Sequence, residues 1–261
     1  MLDIHHSPTL TFTNSMKNSL CEIMLEQQPT SKTFMMSAKT QKKSCLKELK
    51  IGSLLGSRSE LNFMSELFKS RVENIEKDLN RIPNYDFIIF WGGEDISTGF
   101  YKERSVYSNS NEFRSKRDFL EETAFNYAKT TGTPMLGICR GAQLLCALSG
   151  GRLWQHVDGH GRSHLIKLTE TNELLQVTST HHQMMRPTAD MKVLGVSATP
   201  LSPEKFNEAG MHFTEEDEAE IVFIPKTASL CIQGHPEYTE VNSPFSKLTK
   251  QLVIEKLLLP F

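Results

Sequence analysis

Short apolar runs alternate with stretches of helical period through the middle of the chain. Leu49 to Leu55 reads as a first strand, apolar on both faces. Gly56 and Ser57 end it, and Ser57 is a candidate N-cap for a helix from Arg58 to about Phe68. Arg71 to Ile75 fits a short strand or a continued helix. Tyr85 to Trp91 is a central strand that stops at Gly92, Gly93, Glu94 and Asp95. From Ser115 to Thr130 the period predicts an amphipathic helix with Phe119, Leu120, Ala124, Tyr127 and Ala128 on its apolar face. Gly132 closes that helix. The strand Pro134 to Ile138 then runs straight into another helix near Arg140, which carries Gln143, Leu144, Ala147 and Leu148 and stops at Gly150 and Gly151.

Beyond residue 151 the texture turns to strands. Ser163–Leu168, Leu174–Thr178 and Lys192–Val196 are separated by polar loops, and Glu220–Pro225 with Ser229–Gln233 looks like a hairpin pair. A last helix follows, with Ser243 as N-cap, Pro244 as its first residue, and Phe245, Leu248 and Leu252 as the buried stripe. Strand–helix alternation predicts an α/β fold, a mostly parallel sheet with helices on both faces, plus a β-rich C-terminal portion. Ligands in such folds collect beyond the carboxyl ends of strands, where Gly92, Gly93 and residue 139 fall. Residues 1–45 show no sustained period beyond a weak helical patch at 20–25, and are expected to form a poorly ordered extension. Residues 46–261 read as one catalytic domain.

Composition narrows the function classes. Hydrophobic residues make up 38% and charged residues 23% of the 261, which suits a globular α/β domain. A net charge of −2 gives no basic field for nucleic acid or an anionic membrane. No apolar run approaches the roughly 18 residues of a membrane span, and the N-terminus lacks a secretory pattern. Five scattered cysteines suit a reducing compartment, so the cytoplasm is the expected location. His5 and His6, adjacent in a loose terminus, are weak metal candidates.

The candidate chemistry lies at residue 139. Gly137 and Gly141 flank Cys139 at a strand-to-helix junction, giving Gly-x-Cys-x-Gly, the nucleophile-elbow pattern with cysteine for serine. Such a turn pushes the thiol over the sheet edge, small neighbours keep it free of clashes, and the helix N-terminus favours a thiolate. Alone, a cysteine near a strand end is more often a small buried hydrophobe. Cysteine catalysis also needs a base and a group that orients the base. His235, at the end of the last strand, is the best-placed of nine histidines, with Glu237 two residues on. Pro236 is expected to keep this segment extended, so that both side chains point the same way. Cys146, about two helical turns beyond Cys139, reads as core.

Gly-Ile-Cys-Arg-Gly-Ala-Gln, then Gly-Gly-Arg-Leu-x-Gln, His-His-Gln and Gly-His-Pro-Glu, in this order between residue 49 and about 258, resemble the class I glutamine amidotransferase-like superfamily. Arginine after the cysteine resembles the γ-glutamyl-γ-aminobutyrate hydrolase-like branch. The resemblance implies a flavodoxin-like fold and a triad of Cys139, His235 and Glu237. It implies an oxyanion site from the backbone N–H groups of Gly93 and Arg140. Substrate contacts would come from Gly92, Gln143, His181 and His182. The substrate would be glutamine or another γ-glutamyl amide, with no metal or organic cofactor. A separate synthetase subunit is the partner if the chain instead supplies ammonia. A silent binding protein on the same fold is the third reading, and the intact triad argues against it.

Three features depart from the family pattern. Gly234 stands where a Trp is common, which reduces one wall of the pocket. The span between the first helix and the glycine pair is short enough to have lost or truncated a strand. The extension before residue 46 has no counterpart.

Overall fold

In a computed structural model, residues 48–259 are described. The expectations for residues 1–45, including the patch at 20–25 and His5 and His6, lie outside them. The order begins β1 (Ile51–Leu54), α1 (Arg58–Phe68), β2 (Val72–Asn74), β3 (Phe87–Phe90), α2 (Lys116–Thr131), β4 (Met135–Ile138) and α3 (Arg140–Leu148). Short strands follow: β5 (Arg152–Trp154), β6 (His156–Val157), β7 (His164–Leu168), β8 (Leu174–Val177), β9 (Met184–Arg186), β10 (Lys192–Ser197), β11 (Glu204–Asn207) and β12 (Gly210–Phe213). The chain closes with β13 (Ala219–Ile224), β14 (Ser229–Ile232) and α4 (Pro244–Val253), which continues as a π-helical turn to Leu258.

The main sheet runs β2-β1-β3-β4-β14-β13-β10-β7-β8. Its first five strands are parallel, and from β14 onward each new pairing is antiparallel. The expected mostly parallel α/β core and its β-rich C-terminal portion are thus parts of one sheet. β1, β3, β4 and β14 are buried at every position, because helices cover both faces. Phe87, Ile89, Leu136 and Ile138 point to the face covered by α1 and α4. Ile88, Phe90 and Met135 point to the face covered by α2 and α3. Alternation along each strand therefore feeds two cores.

Helix starts follow local chemistry. Ser57 and Glu60 form a capping box at α1, Ser115 and Asp118 form one at α2, and Ser243 caps α4 with Pro244 at its first position. The ambiguous segment at 71–75 is strand β2, three residues long, so the early strand is shortened and present.

The buried face of α2 differs from its apolar period. Phe119 is 60% exposed, whereas Asp118 and Glu121 are buried along with Ala124, Phe125 and Ala128. The carboxylates face inward because the Arg140 guanidinium, also buried, pairs with both. Charge pairing rotated the helix away from its simplest apolar stripe. A second difference concerns Pro236. The segment is a 3-10 turn from Pro236 to Tyr238, not an extended strand.

Candidate active site

Cys139 sits between β4 and α3 with φ +49 and ψ −110, in the positive-φ region that a non-glycine residue enters at a cost of about 1–3 kcal/mol. The flanking glycines are required by close packing. A Cβ on Gly137 would stand 2.6 Å from the backbone of Gly141 and Ala142, and one on Gly141 would stand 2.1 Å from the Phe90 carbonyl oxygen. Cys139 N donates to the Ile232 carbonyl at 2.8 Å, tying the elbow to the end of β14. Gln143 N donates to the Cys139 carbonyl, closing the first turn of α3.

Strand order brings the other groups here. β3 and β14 flank β4 in parallel, with Phe90 opposite Gly137 and Ile232 opposite Ile138. Their carboxyl ends lie level, so Gly92, Cys139 and His235 converge. A Cβ on Gly92 would lie 2.9 Å from His235 Cε1 and 3.6 Å from Cys139 Cβ. His235 Nδ1 is 2.7 Å from Glu237 Oε1. The 3-10 turn brings these two together by folding back, where an extended segment was expected to. His235 Nε2 also lies 3.0 Å from the Thr180 hydroxyl, and Tyr238 stacks on the ring at 4.5 Å. Thr180 had no sequence pattern to mark it, since its approach depends on the pairing of distant segments.

Burial pulls the His235 pKa down, but Cys139 and Glu237 outweigh it and raise it to about 10. The imidazole is therefore charged at neutral pH, and Glu237 fixes its orientation. Burial has the opposite effect on Cys146, whose thiol is pushed up to about 12. That suits the core position expected for it.

The glycine loop is clamped from α2. Arg117 Nη2 donates to the Trp91 and Gly92 carbonyls at 3.0 and 2.9 Å, and Arg117 Nε donates to Glu121 at 3.1 Å. Gly93 has φ +146, and a Cβ there would lie 2.3 Å from Arg117 Nη1. Arg140 Nη2 donates to Asp118 at 2.6 Å, and its Nη1 donates to Glu121. Glu121 thus joins the arginine that holds the glycine loop to the arginine that opens α3. The side chain of Arg140 is committed to this network, which leaves its backbone N–H as the group available at the helix N-terminus.

The remaining candidates separate into two groups. Gln143 Nε2 donates to the Gln183 carbonyl at 3.3 Å. His182 Nε2 lies 2.9 Å from Asp95 Oδ1, and this contact raises its pKa. These contacts tie the 181–183 segment to α3 and to the loop after Gly93. His181 is buried elsewhere, stacked on His160 at 4.8 Å and facing Glu220 at 3.6 Å. At Gly234 a Cβ would lie 2.7 Å from the Thr178 carbonyl and 3.0 Å from the Phe245 ring, so no larger residue fits this backbone.

Residues 69–237 match the Peptidase C26 family. The chain is 28% identical over 196 residues to a protein named as glutamine amidotransferase-like, YvdE, of Lactococcus lactis subsp. lactis, covering 67% of this chain and 76% of that protein. Among solved structures, a glutamine amidotransferase from Thermotoga maritima shares the fold at TM-score 0.52 and 13% identity, over 79% of this chain and 81% of that one. A GMP synthase subunit from Thermoplasma acidophilum shares it at TM-score 0.51 and 15% identity, over 80% and 94%. With more than half of its length matched, the chain belongs to the Peptidase C26 family, within the class I glutamine amidotransferase-like superfamily.

Proposed function

We propose that the chain hydrolyses a γ-glutamyl amide bond, in glutamine or a γ-glutamyl amine, through a thioester on Cys139. The observation that carries this reading is the convergence of Cys139, His235 and Glu237 beside Gly92 at one sheet edge. Family membership supports amide hydrolysis in general.

In this reading the Cys139 sulfur attacks the γ-carbonyl carbon, and the carbonyl oxygen takes the negative charge. Backbone N–H groups of Gly93 and Arg140 stabilise that oxyanion, each such donor typically contributing about 3 kcal/mol. His235, protonated at neutral pH, gives its proton to the leaving ammonia or amine as the C–N bond breaks. The neutral imidazole then takes a proton from water, whose oxygen attacks the thioester carbonyl. Glutamate leaves and the Cys139–His235 pair is restored. Glu237 holds the imidazole in orientation and offsets its charge throughout. Every step uses only groups of this chain and water. Gln143 and His182 are assigned the substrate contacts in this reading, while His181 lies within the buried cluster and is not assigned one.

The test is ammonia release from glutamine and amine release from a panel of γ-glutamyl amines, using purified protein beside Cys139→Ala and Glu237→Gln. Cys139→Ala is expected to abolish turnover while the protein stays folded, as circular dichroism would show, and Glu237→Gln to slow turnover less. Hydrolysis retained in Cys139→Ala would exclude the thioester route. Weak turnover, with Cys139 still labelled by a glutamine-like electrophile, would mark an ammonia-supplying subunit that depends on a synthetase partner.

A further inference from the structure

A second cluster of titratable groups lies beneath the 178–183 loop and takes no part in the proposed hydrolysis. His160, His164, His181 and Glu220 are each 9% exposed or less. Glu220 Oε1 stands 2.9 Å from His164 Nε2 and 3.0 Å from His160 Nδ1, and its Oε2 stands 3.6 Å from His181 Nε2. The second nitrogen of each ring has its own oxygen partner. His160 Nε2 is 3.1 Å from Glu218 Oε2, His164 Nδ1 is 3.1 Å from the Arg162 carbonyl, and His181 Nδ1 is 2.9 Å from the Gln183 carbonyl.

Those carbonyl and carboxylate oxygens only accept, so the ring nitrogens facing them carry the hydrogens. In a neutral imidazole the other nitrogen is then a bare lone pair. Were all three rings neutral, three lone pairs would be aimed at one carboxylate, acceptor against acceptor; the His164 Nε2–Glu220 contact at 2.9 Å is a hydrogen bond once that ring is protonated. His160 Nδ1, His181 Nε2 and Glu220 Oε2 are buried with no hydrogen-bond partner. Lys205 does not relieve this, because its ammonium pairs with Glu218 at 3.6 Å. A positive centre among the four groups would satisfy every orphan at once.

From this geometry we infer that His160, His164, His181 and Glu220 form a binding site for a divalent metal ion of the zinc class. Three imidazoles and a carboxylate are a zinc donor set. The facing atoms of His160, His164 and Glu220 all lie within 4.8 Å of one another. Glu220 Oε1 lies 2.9 and 3.0 Å from the His164 and His160 nitrogens, and Glu220 Oε2 lies 3.6 Å from that of His181, distances close to the roughly 3.3 Å edge of a tetrahedron with ligands about 2.0–2.1 Å from the ion. Outer hydrogen bonds from each imidazole to a carboxylate or carbonyl are what fixes a ligating ring in its tautomer. The site is structural. It joins β7 to β13 and to the loop that holds Thr180 against His235.

The test uses the full chain, stripped of metal by chelation and titrated with Co²⁺ alone and then Zn²⁺. One equivalent of Co²⁺ per chain is expected to give the visible bands of a tetrahedral site, to be displaced by Zn²⁺, and to bind Cys139→Ala equally well. Zinc at about a hundred times its Kd is expected to raise Tm by on the order of 5–10 °C. His164→Gln is expected to lose both effects. X-ray absorption of the zinc-loaded wild-type protein needs no variant, and is expected to show only nitrogen and oxygen ligands at about 2.0–2.1 Å. Absence of both the cobalt bands and the Tm shift would overturn the site and leave protons as the cluster's only cations. A sulfur ligand, or uptake unchanged in a folded His164→Gln protein, would overturn it equally.

Discussion

At His235 two opposing effects meet. Burial favours the neutral ring, while Cys139 and Glu237 favour the charged one and raise the pKa to about 10. The folded-state value lies above the ordinary value of about 6.5. The pair's contribution to stability is therefore fully present below about 6.5 and lost as pH rises through about 10. In the proposed reaction, proton donation to the leaving group needs the same protonated form. The pH profile of kcat/KM is expected to stay level through neutrality and fall on an alkaline limb near 10. Glu237→Gln removes one source of the upward shift, so the limb is expected to move to lower pH. A limb that stays in place in that variant would show that Glu237 does not hold the imidazolium.

Helix α2 shows how a buried charge network can override an apolar period. Its sequence favours Phe119 on the packed face, yet Phe119 is 60% exposed and Glu121 is wholly buried. Asp118 and Glu121 need a cation once inside, and Arg140 supplies it from the first turn of α3. Removing one partner of such a group leaves uncompensated buried charge, at a cost of about 3–5 kcal/mol. Arg140→Met is accordingly expected to lower Tm by on the order of 10 °C, at about 2–4 °C per kcal/mol for a chain of this size. Phe119→Ala, at the surface, is expected to change stability by no more than about 0.5 kcal/mol. Thermal unfolding of both variants checks this. A larger loss in Phe119→Ala would mean that the apolar stripe is the packed face after all.

Across the whole molecule, one sheet changes character at β14. Parallel strands on one side present the glycine loop and the cysteine elbow at their carboxyl ends, and β14 adds His235. Antiparallel strands on the other side carry the loops with Thr180 and His181. Every group of the proposed site lies within residues 48–259. A chain beginning at residue 46 is therefore expected to fold and to keep Cys139-dependent turnover. Its circular dichroism and amide hydrolysis, measured beside the full chain, decide this, and an unfolded product would assign residues 1–45 a part in the core. Among the described residues, no helix is long and apolar enough to cross a membrane.

What the sequence determined by itself is what short-range physics controls. Ser57, Ser115 and Ser243 mark helix starts because a cap bonds to a backbone N–H three residues away. Gly137 and Gly141 mark the elbow because no side chain fits between strand and helix there. The central strands are legible because burial on both faces demands continuous apolar runs. Only the tertiary structure decided the rest. Strands as short as β6 and β9 exist through pairing with β11, β5 and β13, and have no period long enough to read. The turn at Pro236, which sets Glu237 2.7 Å from the His235 ring, replaced the extended segment the local sequence suggested. The inward face of α2 depends on Arg140, 22 residues from Asp118. The fate of the two adjacent histidines is the sharpest case. His182 turns to Asp95 and His181 to Glu220, because each meets a carboxylate brought from a distant part of the chain.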